Sequence, residues 1–152
     1  FYPGRRFRRA LERAAARGVR IRLLMQGKVD YRFAALAARV LYDGLLARGI
    51  RIFEYTPAFL HAKVAVVDDH WATVGSSNID PLSLLLNLEA NAVVADEPFV
   101  ARLSHDLDAA FAASTEIVAP PLKRGWRAWL TRGFVAWVAN TYLRIAGITG
   151  RY

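Results

Sequence analysis

Residues 61–78 read His61-Ala62-Lys63-Val64-Ala65-Val66-Val67-Asp68-Asp69-His70-Trp71-Ala72-Thr73-Val74-Gly75-Ser76-Ser77-Asn78. The pattern is H-x-K-x4-D-x6-G-S-x-N, with every fixed position filled and one copy in the chain. Two apolar runs, 60–67 and 71–74, flank Asp68-Asp69-His70, so the segment reads as strand, turn, strand. Residues two apart on a strand share a face. His61 and Lys63 therefore project together, while Ala62 and Val64 turn away. If the two strands pair, Asn78 leaves the second strand beside His61. Gly75 lets backbone come close to a bound anion.

Outward from this hairpin, the chain alternates helices and strands. Residues 4–17 read as a helix, with Phe7, Leu11 and Ala14 on one stripe and Gly18 as its stop. Residues 19–25 read as a strand and 26–30 as a loop. Residues 31–48 are helical by the stripe Phe33, Leu36, Val40, Leu41 and Leu45, ended by Gly49. Strands follow at 50–55 and 88–95, and Thr56-Pro57 breaks the first of them. Asp96-Glu97-Pro98 opens a helix over 98–113. The order α-β-α-β-β-β-β-α predicts an α/β fold, a mixed β-sheet flanked by helices. Residues 114–122, with Pro120-Pro121, read as a linker, and 123–149 as a separate helical tail. The expected division is a half-domain over 1–121 and a tail over 122–152. Internal repeats and low-complexity tracts are absent.

At 152 residues and 55% hydrophobic composition the chain suffices for one domain with a real core. It has no cysteine, so disulfides and thiolate metal sites are excluded. It opens Phe1-Tyr2-Pro3-Gly4, without Met or a signal-peptide layout, as a piece of a longer protein would. The net charge of +8 is unevenly placed. All 13 acidic residues lie in 1–121, whereas Lys123, Arg124, Arg127, Arg132, Arg144 and Arg151 share the tail with three of the four Trp. A basic, aromatic, acid-free segment points to an anionic surface, membrane or nucleic acid. Between Arg132 and Arg144 only 11 residues intervene, too few for a bilayer span of about 20. An interfacial helix fits, with Trp and Tyr at headgroup depth and Arg toward anionic lipid.

The hairpin residues suit phosphodiester chemistry. A neutral imidazole at His61 can attack phosphorus or move a proton. Lys63, Ser76 and Asn78 can hold non-bridging oxygens and stabilise a pentacoordinate transition state. The imidazole needs its second nitrogen oriented by an acceptor, and Glu89 on the following strand is the candidate. Asp68 is the remaining fixed position; it opens the turn, which favours a capping role over catalysis. No metal or other cofactor is required, and neither a His/Glu zinc pattern nor a carboxylate cluster is visible. His70 and His105 lack a following Lys at the right spacing and read as surface histidines. Arg5, Arg6, Arg8 and Arg9 read as a solvated face, and Gln26-Gly27-Lys28 is not a phosphate loop.

The motif resembles that of the phospholipase D superfamily. The stretch from Phe53 through Asp80-Pro81-Leu82-Ser83 to Asn87-Leu88-Glu89-Ala90-Asn91 resembles the C-terminal half of a bacterial cardiolipin synthase, B type. The resemblance covers roughly residues 1–121, and the tail more loosely. It implies phosphatidyl transfer through a phosphohistidine intermediate, with phosphatidylglycerol as donor and acceptor and cardiolipin and glycerol as products. It also implies two motifs per active site, from one chain or from two. Where both motifs lie in one chain, His61 is expected to be the acid/base rather than the nucleophile; in a homodimer it could take either part. The implied partners are anionic phospholipid, the bacterial inner membrane at its periphery, and a second motif-bearing half or a homodimer partner. The other readings are a hydrolase acting on lipid or nucleic acid as a homodimer, and an inactive lipid-binding fragment; nucleic acid is the less favoured substrate.

Overall fold

The computed structural model describes residues 3–27, 42–79 and 88–118. Helix α1 (Arg5–Ala16) lays Leu11 and Ala15 on the core. It ends where the sequence predicts. Gly18 takes φ +91°, its N–H donates to Ala15 O at 2.9 Å, and Val19 N–H reaches Ala14 O at 3.1 Å. This closure satisfies carbonyls that the helix end would leave bare. Gly49 does the same for the helical residues 42–46, with φ +78° and Ile50 N–H donating to Leu45 O at 3.2 Å. Leu45 and Ile50 are both buried in the main core cluster, with Met25, Tyr42 and Ile52.

The strands divide between two three-stranded sheets. In the first, β1 (Arg22–Gln26) pairs in parallel with β2 (Arg51–Tyr55). The second is an antiparallel meander of β3 (Val64–Val67), β4 (Trp71–Gly75) and β5 (Asn91–Val94). Helix α2 (Glu97–Ala112) packs against members of both sheets and buries Val100 completely. Asp96 caps it by accepting from Phe99 N–H at 2.9 Å, with Pro98 in the first turn. The mixed α/β architecture expected from the sequence is thus present, with its strands in two sheets. Cross-strand neighbours Val66, Ala72 and Val94 share the inner face of the meander. The opposite face leaves Val67, Trp71 and Val93 exposed.

Three boundaries differ from expectation. The strand read at 60–67 starts at Val64, so His61 and Lys63 stand in the segment leading into it. The strand read at 88–95 starts at Asn91. Residues 114–116, read as the start of a linker, form β6 (Ser114–Glu116), antiparallel to β2. A three-residue strand carries too little periodicity to read, and tertiary contact makes it. Arg51 donates to both carboxylate oxygens of Glu116 at 2.7 Å and lies 4.9 Å from the Phe53 ring centre. The expected helix over 31–41, the end of the linker and the tail at 123–149 lie outside the described residues.

The Arg51 guanidinium holds the Glu116 carboxyl below the usual carboxylate range, mainly by hydrogen bonding. A depressed folded-state pKa stabilises the fold above the ordinary glutamate value and ceases to do so as pH falls through the depressed one. Both groups are exposed, so the effect is small. Glu116→Gln is expected to lower the melting temperature modestly at pH 7. The gap to the parent should close as pH drops below about 4. A gap independent of pH in thermal melts would assign the loss to packing instead.

Candidate functional site

One end of the β3–β4–β5 sheet gathers the motif. Gly75 N–H donates to Lys63 O at 3.0 Å, and Gly75 stands opposite Asn91 in the ladder. Beyond Gly75 the two chains are clasped by side chains as well as backbone. Ser76 N–H donates to Ala90 O at 3.0 Å, and Ala90 N–H returns to Ser76 Oγ at 3.1 Å. Asn91 Nδ2 donates to Ser77 Oγ at 2.8 Å, while Ser77 N–H reaches Asn91 Oδ1 at 3.4 Å. The segments carrying His61 and Lys63, Ser76 and Asn78, and Glu89 therefore meet at one sheet end. Glu89 is half-buried and immediately precedes the clasp.

Lys63 Nζ lies 2.6 Å from His61 Nε2, and His61 is exposed. An ammonium has donors only. In the neutral tautomer with its proton on Nδ1, the imidazole accepts this bond at Nε2. That tautomer presents Nε2 toward the same space as the Lys63 charge. It suits either attack on phosphorus or receipt of a proton there. Phe59 stacks beside the imidazole, ring centres 6.2 Å apart and planes 24° from parallel.

The approach to His61 is set from the other sheet. Gln26 Oε1, at the end of β1, accepts from Leu60 N–H at 2.6 Å. Gly27 N–H donates to Tyr55 O at 2.8 Å, fixing β1 against the end of β2 at that point. The sequence reading had Gln26 in a loop, yet it anchors the residue before His61. Gln26→Ala leaves the part-buried Leu60 N–H without this acceptor, a cost of about 1–3 kcal/mol. Any phosphodiester turnover at this site is expected to fall by roughly tenfold through misplacement of His61. Gln26→Glu, which keeps an acceptor, should retain most of it. Equal losses in both variants would remove this positioning role.

Asp68 is not part of the gathering. It lies at the opposite end of β3, about 16 Å from Lys63 at roughly 3.3 Å per residue. Asp68 and Asp69 take φ +51° and +55°, and His70 N–H closes the turn onto Val67 O at 3.2 Å. Two consecutive left-handed residues make the primed turn that suits hairpin twist, and Asp tolerates it. Ser104 of α2 donates to Asp69 Oδ1 at 2.7 Å and pins the turn. Ser76, expected to hold phosphate, has its hydroxyl engaged by the Ala90 backbone. Asn91, not picked out as a functional candidate, is the side chain that orders this end. His70 and His105 are exposed, within 3.9 Å of Glu97 and 3.6 Å of Asp106 respectively, away from the sheet end that carries the motif.

Residues 1–111 match the family model described as cardiolipin synthase, PLD-like domain. The chain belongs to that family. It is 49% identical over 139 residues to cardiolipin synthase B of Escherichia coli strain K12, covering 90% of this chain and 33% of that protein. To cardiolipin synthase B of Salmonella typhi it is 50% identical over 107 residues, 70% of this chain and 26% of the other. Cardiolipin synthase 2 of Bacillus anthracis is 38% identical over 117 residues, 77% of this chain and 23% of the other. The chain thus spans a third or less of these relatives. In fold it is similar to the crystal structure of Nuc, a phospholipase D family member from Salmonella typhimurium. That likeness has TM-score 0.61 at 17% identity, over 78% of this chain and 77% of the other. This PLD-like domain accordingly brings the segments of His61, Lys63, Ser76, Asn78 and Glu89 to one sheet end, on a fold shared with a phospholipase D family member.

Proposed function

We propose that this PLD-like domain supplies one half of a phosphatidyltransferase site that makes cardiolipin from two phosphatidylglycerols. The reading is carried by the His61–Lys63 pair, Nε2 and Nζ 2.6 Å apart, on the segment that meets the clasped sheet end. Its second support is that cardiolipin synthases are the relatives and that the chain covers about a third of them. The second motif comes from a complementary half or from a second copy. Its histidine attacks the donor phosphorus, and the phosphorus–oxygen bond to glycerol breaks. For this step His61 is an imidazolium that has taken up a solvent proton at Nε2 as Lys63 turns to the substrate phosphate; it donates that proton to the glycerol oxygen, then takes one from the hydroxyl of the acceptor lipid, which attacks the phosphohistidine and releases the nucleophile. Lys63 and Asn78 stabilise the oxygens of each pentacoordinate state, and Glu89 orients His61. Val67, Trp71 and Val93, exposed on the sheet face opposite the half-buried Val66 and the buried Ala72, give the second half an apolar surface.

The proposed place of work is the periphery of the bacterial inner membrane. Among the described residues no helix is long and apolar enough to cross a membrane. The basic aromatic segment 122–152 would then add surface attraction. Its deletion is expected to weaken co-sedimentation with phosphatidylglycerol vesicles by tenfold or more, since roughly 1 kcal/mol accompanies each of its basic residues near the surface. The function is tested with the complementary half and labelled phosphatidylglycerol in vesicles. Equal cardiolipin and glycerol support transfer. Phosphatidic acid alone would make the protein a hydrolase, and release of label only from DNA would make it a nuclease.

A further inference from the structure

Phe59, Ile79 and Leu88 are large apolar side chains left exposed, Phe59 by 69% and Leu88 completely. Each stands within two residues of a member of the site: Phe59 before His61, Ile79 after Asn78, Leu88 before Glu89. The Gly75–Lys63 bond and the Ser76–Ala90 and Ser77–Asn91 clasp bring their three segments to one end of the sheet. Exposed single apolar residues are ordinary, but these three lie on segments that meet at the sheet end of one Lys–His pair. In a phospholipid surface the phosphate layer lies directly outside the hydrocarbon. A cation on segments that also carry exposed apolar side chains matches that layering, and the six basic residues of the acid-free stretch 122–152 add attraction to an anionic surface.

We propose that Phe59, Ile79 and Leu88 form a lip that enters the hydrocarbon edge of an anionic phospholipid surface and sets Lys63 and His61 at the depth of the headgroup phosphates. The lip rests on the reading of the site as acting on phospholipid, and it adds how the substrate is reached. Lipid need not leave the bilayer; the site comes down to it. Phe59 then has two contacts, the His61 ring on one side and lipid on the other.

The chain has no cysteine, so Ile79→Cys and Leu88→Cys each give a unique point for an environment-sensitive NBD label. His105→Cys, next to the Ser104 that pins the distant turn, is the control. The assay adds phosphatidylglycerol vesicles, with and without brominated acyl chains, to the protein in the presence and absence of its complementary half, and follows turnover in the same samples. Labels at 79 and 88 are expected to brighten and to be quenched by bromine, and the label at 105 to do neither. Leu88→Ser and Phe59→Ser should each weaken partitioning into vesicles by roughly tenfold. Labels that stay water-exposed on bound vesicles overturn the lip, as does absence of binding. Brightening with the complementary half alone, unquenched by bromine, would make the patch a protein interface. Turnover with water-exposed labels would leave the transferase reading standing without the lip. Quenched labels without turnover would leave the lip and remove that reading.

Discussion

His61→Ala, in a protein carrying both motif-bearing halves, is expected to lose phosphatidyl transfer by at least about 10³-fold, with the fold intact. The side chain is exposed, so its removal opens no core cavity and thermal unfolding should move little. The loss is chemical. Under the proposed mechanism Lys63 would still hold charge near the phosphate, but the proton transfer or the attack on phosphorus assigned to His61 would have no group to perform it. A choice of leaving group separates the two roles His61 could take. Glycerol leaves as a strong base and needs an acid; p-nitrophenol does not. If His61 is the acid/base, His61→Ala should still show a single-turnover burst of nitrophenol from an activated phosphodiester, then stall. If His61 is the nucleophile, the burst disappears as well. Turnover of phosphatidylglycerol at the parent rate in His61→Ala would remove the whole assignment.

The part of this site legible in the sequence is the part built by short-range rules. Gly18 and Gly49 end their helices because a left-handed residue after a helix is a local requirement that glycine meets. His61 and Lys63 come together because they are two residues apart in extended chain, even though the strand itself begins at Val64. The Asp68-Asp69 turn follows from the tolerance of Asp for positive φ. What escaped the sequence is long-range pairing. Gln26 meets Leu60 across 34 positions, and no local pattern marks a side-chain oxygen as the anchor for a distant amide. β6 exists because Arg51 and β2 hold it, and its three residues lack a period of their own. Ser76 looks like a phosphate holder from its place in the motif. Its hydroxyl also accepts from Ala90 N–H, a bond that depends on how β4 and β5 align and that leaves the hydroxyl proton able to donate to phosphate. Alternation gives the face of each strand but not its neighbour, which is why two sheets were read as one.

Among the described glycines, Gly75→Ala should be the most damaging substitution. A Cβ at this position would overlap Asn91 Oδ1 and Ala90 O and lie 2.6 Å from Asn91 Cα. Two of these atoms are backbone, so rotating the Asn91 side chain cannot clear the space. β4 and β5 must separate at the end that carries the motif, and the Ser76–Ala90 and Ser77–Asn91 bonds go with them. Overpacking of this kind costs about 1–3 kcal/mol. The displacement of Asn78 and Glu89 relative to His61 should reduce transfer by roughly 10²-fold, because catalytic geometry tolerates little more than an ångström. Asn91→Ala combined with Gly75→Ala relieves only the side-chain overlap and is expected to restore a minor part of the stability. Asn91→Ala alone breaks both Ser77 bonds yet leaves the Ser76–Ala90 bonds in place, so it should cost less than Gly75→Ala in both melting temperature and rate. A Gly75→Ala protein with parent melting temperature and parent activity would mean that β5 does not close on β4 as described, and that Glu89 is not held at the site.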